Sequence, residues 1–198
     1  AALSAACATE VRDASDPREG RLRARPSTTA KGGREGLQPL RLSAGERDGW
    51  LYVPRRDKSQ RAPLLVLLHG ATGAGEWILK RMTEHADRTG TIVIAPDSRD
   101  VTWDLMQQHV GPDVAFIDRA LASVFAHHAI DPMRIAIGGF SDGASYALTL
   151  GLINGDLFTH ILAFSAGYFV ADRRRENRAS FSRTARMMRS CPSSAAAA

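Results

Sequence analysis

The chain has 198 residues, of which 44% are hydrophobic, and this is enough for one domain with a buried core. No apolar run reaches the roughly eighteen residues of a membrane span, and the two cysteines form no metal-binding or disulfide pattern. The net charge of +5 lies entirely in residues 172–190, which hold seven Arg and two acidic residues but no aromatic platform. These features predict no transmembrane segment and no nucleic-acid partner.

Residues 1–35 mix Ala, Arg, Asp, Ser and Thr without hydrophobic periodicity, which predicts a disordered or leader-like segment. The opening stretch lacks the basic start and apolar run of a signal peptide, and this favours a cytoplasmic protein. Because the first residue is not Met, removal of a leader stays open. Residues 36–171 are predicted to form the folded core, and residues 172–198 an Arg-, Ser- and Ala-rich tail.

Within the core, short apolar strands alternate with helical patterns. Strands are predicted at GWLYVP (49–54), PLLVLLHG (63–70), TIVIAP (91–96), RIAIGGF (134–140) and HILAFSAG (160–167). Helices are predicted at EWILKRMTEHA (76–86), DVAFIDRALASVFAHHAI (113–130), with Asp113 as its N-cap, and SDGASYALTLGLI (141–153). This alternation predicts an α/β fold, a mostly parallel sheet with helices on both faces.

Ser141 lies between glycines, in the sequence GGFSDG, where a predicted strand is followed directly by a helix. A tight turn at this point strains the backbone of the serine and exposes its hydroxyl, while Gly139 and Gly143 allow neighbouring backbone to pass closely. The start of the helix adds unpaired N–H groups and a positive dipole end, which suit an oxyanion. The pattern predicts a nucleophile elbow, and the alternative is a serine that only caps its helix.

A second loop, HGATG (69–73), follows another buried strand. A loop in this place donates the other N–H group of an oxyanion hole, which stabilises the tetrahedral intermediate of acyl transfer. The two predicted donors are the backbone N–H groups of Ala71 and Asp142. His69 and Gly70 are predicted to orient the loop, and His69 is not expected to be the catalytic base.

Residues 38 to about 170 resemble the phospholipase/carboxylesterase branch of the α/β-hydrolase fold, near acyl-protein thioesterase-like and polyhydroxybutyrate depolymerase-like esterases. The resemblance rests on LLVLLHGATG, IVIAPDSRDVTWD, GPDVAFIDRALASVF, IDPMRIAIGGFSDGASYALTLGL and FTHILAFSAGY. It implies a serine esterase that acts through an acyl-enzyme on Ser141, with a small-molecule ester or thioester as substrate and no cofactor or metal. Trp103 falls where this family lines its substrate cleft, with ordinary packing as the alternative.

The resemblance ends after the strand at 160–167, so the fold is expected to be incomplete after the sixth strand. A serine nucleophile needs a histidine base and an orienting acid, which follow it in this fold in the order acid, then His. After Ser141 the chain has one histidine, His160, which is predicted to be structural, and Asp156 and Asp172 stand at the wrong points. The chain is therefore expected to be inactive, and the alternative is a non-catalytic binding protein of the same fold.

The tail suggests why the acid and the histidine are missing. Met187-Met188 must be encoded ATGATG, and reading these bases one position earlier forces a GAT codon, which is Asp. With codons allowed for the neighbouring residues, that frame reads IVFSHGTNDEVLPIER, which has the family's acid-bearing pattern SHGxxDxVLP. Residues 172–198 are therefore predicted to be a frameshifted reading, with an authentic, disordered Arg-rich tail as the alternative. The edge strand left by such a truncation predicts self-association.

Overall fold

The computed structural model describes residues 20–27, 29–30, 32–43, 47–104 and 111–167, and these form six strands and four helices. The strands are β1 (Gly36–Pro39), β2 (Gly49–Val53), β3 (Ala62–Leu68), β4 (Ile92–Pro96), β5 (Ile130–Phe140) and β6 (His160–Phe164). The helices are α1 (Gly75–Lys80), α2 (Thr83–Thr89), α3 (Pro112–His127) and α4 (Asp142–Ile153). None of the helices in these ranges is long and apolar enough to cross a membrane.

The strands form one sheet in the order β1-β2-β4-β3-β5-β6. β3 pairs in parallel with β4 and β5, and β5 pairs in parallel with β6, whereas β1 and β2 are antiparallel at one edge. The predicted mostly parallel sheet is confirmed. Because β5 lies between β3 and β6, the carboxyl ends of three neighbouring strands meet beside the turn that holds Ser141.

Helices cover both faces of the sheet, as predicted. On one face α3 and α4 pack against alternate residues of the central strands, such as Val66 and Ile94. On the other face α1 and α2 cover the intervening residues through Leu79 and Ala86. The two-residue period of the strands thus separates two apolar clusters, and the apolar run of β3 is buried on both sides.

The prediction of one helix at 76–86 is wrong, because two short helices, α1 and α2, occupy this stretch. The hydroxyl of Thr83 donates to the carbonyl oxygen of Lys80 at 3.1 Å. The N–H of Met82 bonds to the carbonyl of Leu79, three residues back and not four. This tighter turn separates α1 from α2.

The N-terminal segment is attached more firmly than its composition predicts. Leu22 is 2% exposed and belongs to the main apolar cluster, and its N–H donates to Asn154 Oδ1 at 2.9 Å. Two arginines of this segment also pair with Asp156. The predicted loose segment 1–35 is therefore wrong for residues 20–27, because these anchors lie far away in the sequence and leave no local pattern. The predicted C-terminal tail lies outside the described residues.

Candidate active site

Ser141 occupies the turn between β5 and α4 with φ 54° and ψ −119°. Positive φ is unfavourable for a residue with a side chain, so the surrounding structure must hold it. The Ser141 N–H donates to the carbonyl of Phe164 on β6 at 3.0 Å, and its own carbonyl accepts the N–H groups of Ala144 and Ser145. The structure thus has the strained strand-to-helix turn that the sequence predicts.

Gly139 and Gly143 let this turn pass directly against β3 and the loop that follows it. A Cβ atom at Gly139 would lie 2.4 Å from the backbone of Gly143, and one at Gly143 would lie 2.4 Å from the carbonyl oxygens of Leu68 and His69. Neither position has room for a side chain, in agreement with the close backbone passage expected there. Helix α4 therefore begins in contact with the His69 carbonyl.

His69 is buried and joins two loops. Its Nε2 accepts the N–H of Ser98 at 3.0 Å, so the proton is on Nδ1, which donates to the carbonyl of Gly70 at 2.7 Å. Burial lowers the pKa of His69, in keeping with a neutral ring. Both ring nitrogens of His69 are therefore hydrogen-bonded to backbone, and neither is left for the hydroxyl of Ser141.

The N–H groups of Ala71 and Asp142 form no backbone hydrogen bond to any other described residue. Asp142 is the first residue of α4, where the N–H has no acceptor within the helix. Beside Ala71, Thr72 has φ 58° and its N–H donates to the carbonyl of Val101 at 2.7 Å, which fixes the shape of the loop. The N–H groups of the two predicted donor residues therefore have no backbone acceptor among the described residues, and the bond from Thr72 to Val101 fixes the loop beside one of them.

Trp103 does not line a cleft, so that prediction is wrong. The residue is 0% exposed, and its ring stacks on Tyr146 with centroids 5.2 Å apart and lies 4.9 Å from the ring of His69. Its Nε1–H donates to the carbonyl of His69 at 2.8 Å. Trp103 is a packing residue beneath the loop, and a buried indole needs such a hydrogen-bond partner.

Two buried carboxylates hold the chain behind this loop. Asp113 accepts the N–H of Arg99 on one oxygen and the N–H of Asp104 on the other, at 2.6 and 2.7 Å. Asp104 in turn accepts the N–H of Asp113 and the hydroxyl of Tyr146. The N-cap predicted at Asp113 is wrong, because Gly111 occupies that position and the Asp113 carboxylate is bound to the preceding loop.

The burial of Asp113 predicts a pH-dependent stability. Burial, the largest contribution, raises the pKa of Asp113 to about 6. Since the folded protein then holds this proton more tightly than the unfolded chain does, the contribution of Asp113 to the free energy of unfolding is expected to fall by about 3 kcal/mol as the pH rises from about 4 to about 6. Burial lowers the pKa of His128 to about 4, so the contribution of His128 rises over the same pH range and offsets that of Asp113 in the wild type. In Asp113→Asn only the rise remains, so the free energy of unfolding of the variant is expected to increase with pH more steeply than that of the wild type. Urea unfolding between pH 4 and 7 measures both slopes, and equal slopes in the two proteins contradict the expectation.

Among the described residues, no imidazole is hydrogen-bonded to the Ser141 hydroxyl. Three other described histidines form ring hydrogen bonds elsewhere: His85 with Arg88, His127 with the Ser123 carbonyl, and His160 with Thr159. His128 packs against Gly33 near the start of β5, at the opposite end of the strand from Ser141. The described residues also contain no cluster of three or more His, Cys, Asp or Glu side chains that could bind a metal. The described residues thus contain the strained serine without an imidazole bonded to its hydroxyl.

Two cavities of about 390 and 220 Å³ lie at the amino end of β5 and share Gly33, His127 and His128 in their walls. Neither is lined by Ser141 or by the loop at 69–73.

No family model matches the sequence. Over 148 residues the chain is 25% identical to a poly(3-hydroxybutyrate) depolymerase of Ralstonia pickettii, an alignment that covers 61% of this chain and 29% of that protein. The chain thus spans less than a third of the length of this relative.

Several solved structures are similar to this one. FphF, a fluorophosphonate-binding serine hydrolase of Staphylococcus aureus, has a TM-score of 0.54 at 16% identity, over 68% of this chain and 58% of its own. An acetyl xylan esterase from Aspergillus awamori gives 0.53 at 19% identity, over 67% and 53%. An S-formylglutathione hydrolase from Agrobacterium tumefaciens gives 0.52 at 22% identity, over 73% and 62%. With its mostly parallel sheet, helices on both faces and a strained serine after β5, the chain has the α/β-hydrolase fold that serine hydrolases and esterases such as these share.

Proposed function

We propose that this chain carries the nucleophile and oxyanion hole of a serine carboxylic-ester hydrolase. The observation that supports this most directly is Ser141, a residue with a side chain at φ 54°, between two glycines whose positions admit no Cβ. A protein has little reason to keep such a strained serine unless its hydroxyl must project from the turn. The similarity to serine hydrolases and esterases supports the same chemistry, with a small-molecule ester or thioester as substrate.

The geometry fits acyl transfer. Ser141 Oγ attacks the carbonyl carbon of the ester and gives its proton to a base, and the carbonyl oxygen becomes an oxyanion. The N–H groups of Ala71 and Asp142 stabilise this oxyanion, and the loss of one such donor typically raises the barrier by about 3 kcal/mol. The alcohol then leaves with a proton from the base, and water releases the acyl group from Ser141. These steps need neither a cofactor nor a metal.

The second candidate is a binding protein that keeps the fold and has no turnover. It is favoured by the absence, among the described residues, of an imidazole bonded to Ser141. The gene sequence beyond codon 172 separates the two candidates. An Asp and a His in another frame, at the family's spacing, favour the hydrolase, whereas a verified stop after the final alanines favours the binding protein.

The 198-residue chain is expected to hydrolyse p-nitrophenyl butyrate at a rate indistinguishable from that of Ser141→Ala, because no imidazole of the described residues is bonded to the serine hydroxyl to take its proton. A chain extended with the out-of-frame continuation is expected to gain activity that Ser141→Ala lowers at least about a thousandfold. Ser165→Ala is the matched control, since Ser165 is exposed, has φ 58° and follows the neighbouring strand β6.

Two results would count against this account. Robust activity of the 198-residue chain that disappears in Ser141→Ala shows that a base is present. Activity of the extended chain that survives Ser141→Ala shows that Ser141 is not the nucleophile.

A further inference from the structure

Four consecutive residues, 101 to 104, form hydrogen bonds alternately to the loop at 69–73 and to helix α4. Two of these bonds go to the loop: the Val101 carbonyl accepts the N–H of Thr72 at 2.7 Å, and the Trp103 Nε1–H donates to the His69 carbonyl at 2.8 Å. The other two go to α4: the Thr102 hydroxyl donates to the Asp142 carboxylate at 2.7 Å, and the Asp104 carboxylate accepts the Tyr146 hydroxyl at 2.8 Å. We call this segment the 101–104 bridge.

The contacts of the bridge lie directly beside the two proposed oxyanion donors. Thr72 follows Ala71 in the loop, and Asp142, whose carboxylate binds Thr102, is itself the second donor residue. The loop and α4 extend from different strands, β3 and β5, so the sheet alone does not fix how far apart these N–H groups lie.

The bridge also contacts the place where the loop at 69–73 packs against the start of α4. The His69 carbonyl that accepts the Trp103 N–H is the oxygen that a Cβ at Gly143 would approach to 2.4 Å. Trp103 and Asp104 are 0% and 6% exposed, so these hydrogen bonds are shielded from water and hold their geometry. The bridge is thus a buried connection between the loop and the helix.

We propose that the 101–104 bridge sets the separation of the two N–H donors of the oxyanion hole, an inference that rests on the proposed function. An oxyanion hole works because its donors are fixed before the reaction, and errors of about 0.5 Å in such a site reduce its effect. Thr102 and Trp103 are positioning residues in this account, since they touch the elements that carry the donors and not the reacting atoms.

The first test is amide hydrogen exchange by NMR in Thr102→Val, which removes the hydroxyl bond to α4 and keeps the shape of the side chain. The bridge predicts faster exchange at Ala144 in the helix and also, by at least about fivefold, at Thr72 in the loop, to which the Thr102 hydroxyl is not hydrogen-bonded. Thr83→Val is the control, because it removes a hydroxyl bond in α2, which packs on the other face of the sheet from Trp103. Unchanged exchange at Thr72 in Thr102→Val overturns the proposal.

The second test measures phenylboronic acid binding. Its boron forms a bond to the Ser141 oxygen, the serine proton passes to solvent, and the boron becomes tetrahedral and anionic, in place of the ester's tetrahedral intermediate. Thr102→Val is expected to weaken this binding about tenfold and Thr83→Val to leave it unchanged, at matched melting temperatures. Equal affinity in the wild type and Thr102→Val overturns the proposal. If the wild type binds no better than Ser141→Ala, the proposed function fails, and the exchange experiment alone decides on the bridge.

Discussion

Replacing Gly143 with alanine is expected to lower the free energy of unfolding by about 3 kcal/mol. The added Cβ would lie 2.4 Å from the carbonyl oxygens of Leu68 and His69, which are backbone atoms of β3 and its loop and have no rotamer by which to move away. The start of α4 must shift, and with it the turn at Ser141. Urea unfolding of the variant measures the loss of stability.

The control for this variant is Gly167→Ala. No atom lies within 4 Å of a Cβ atom built at Gly167, so this substitution is expected to change the free energy of unfolding by less than about 0.5 kcal/mol. A Gly143→Ala protein as stable as the control would mean that the elbow and β3 do not pack as described.

The chain is also expected to associate with itself through a part of the sheet that the described residues leave exposed. Phe140 and Phe164 are paired across β5 and β6 and are 51% and 43% exposed, and Leu162 on the same face of β6 is 36% exposed. In the described part of the chain β6 has one neighbouring strand, β5, so its other edge is unpaired. An apolar face beside an unpaired strand edge is a surface on which protein chains associate.

Sedimentation velocity tests this expectation with the double variant Leu162→Lys/Phe164→Lys. We expect it to weaken self-association at least about tenfold, which is about 1.4 kcal/mol. Met133→Lys is the control, since Met133 is 63% exposed but lies near the other end of β5. A wild-type chain that stays monomeric and melts in one cooperative transition would contradict the expectation and favour an authentic tail.

The sequence is informative where one local pattern decides the structure. The apolar runs of β3 and β4 are buried on both sides, and such runs predict a place in the interior of a sheet. The turn at Ser141 also follows from local sequence, because the glycines two residues before and after the serine leave room for the close backbone contacts of the elbow. The strand β1, with the sequence GLQP, has no comparable signal and was not predicted.

Other features depend on contacts between distant parts of the chain, and the sequence gives no measure of these. The sequence around Trp103 fits a cleft residue as well as a core residue. The burial of its ring and the hydrogen bond from its Nε1–H to the His69 carbonyl show that it belongs to the core. Asp113 looks like a helix cap, yet its two oxygens bind the loop at Arg99 and Asp104. The orienting role of His69 could be expected from its place before Gly70, but its partner Ser98 could not.

The anchoring of the N-terminal segment bears on where the chain can be shortened. The side chain of Asn154, which is 0% exposed at the end of α4, accepts the N–H of Leu22 and donates to the carbonyl of Gly20. A fragment beginning at residue 36, where the sequence places the folded core, would remove Leu22 from the core and strip this buried amide of two partners. Expression designs should therefore begin no later than Gly20, and an affinity tag is better joined ahead of it through a flexible spacer.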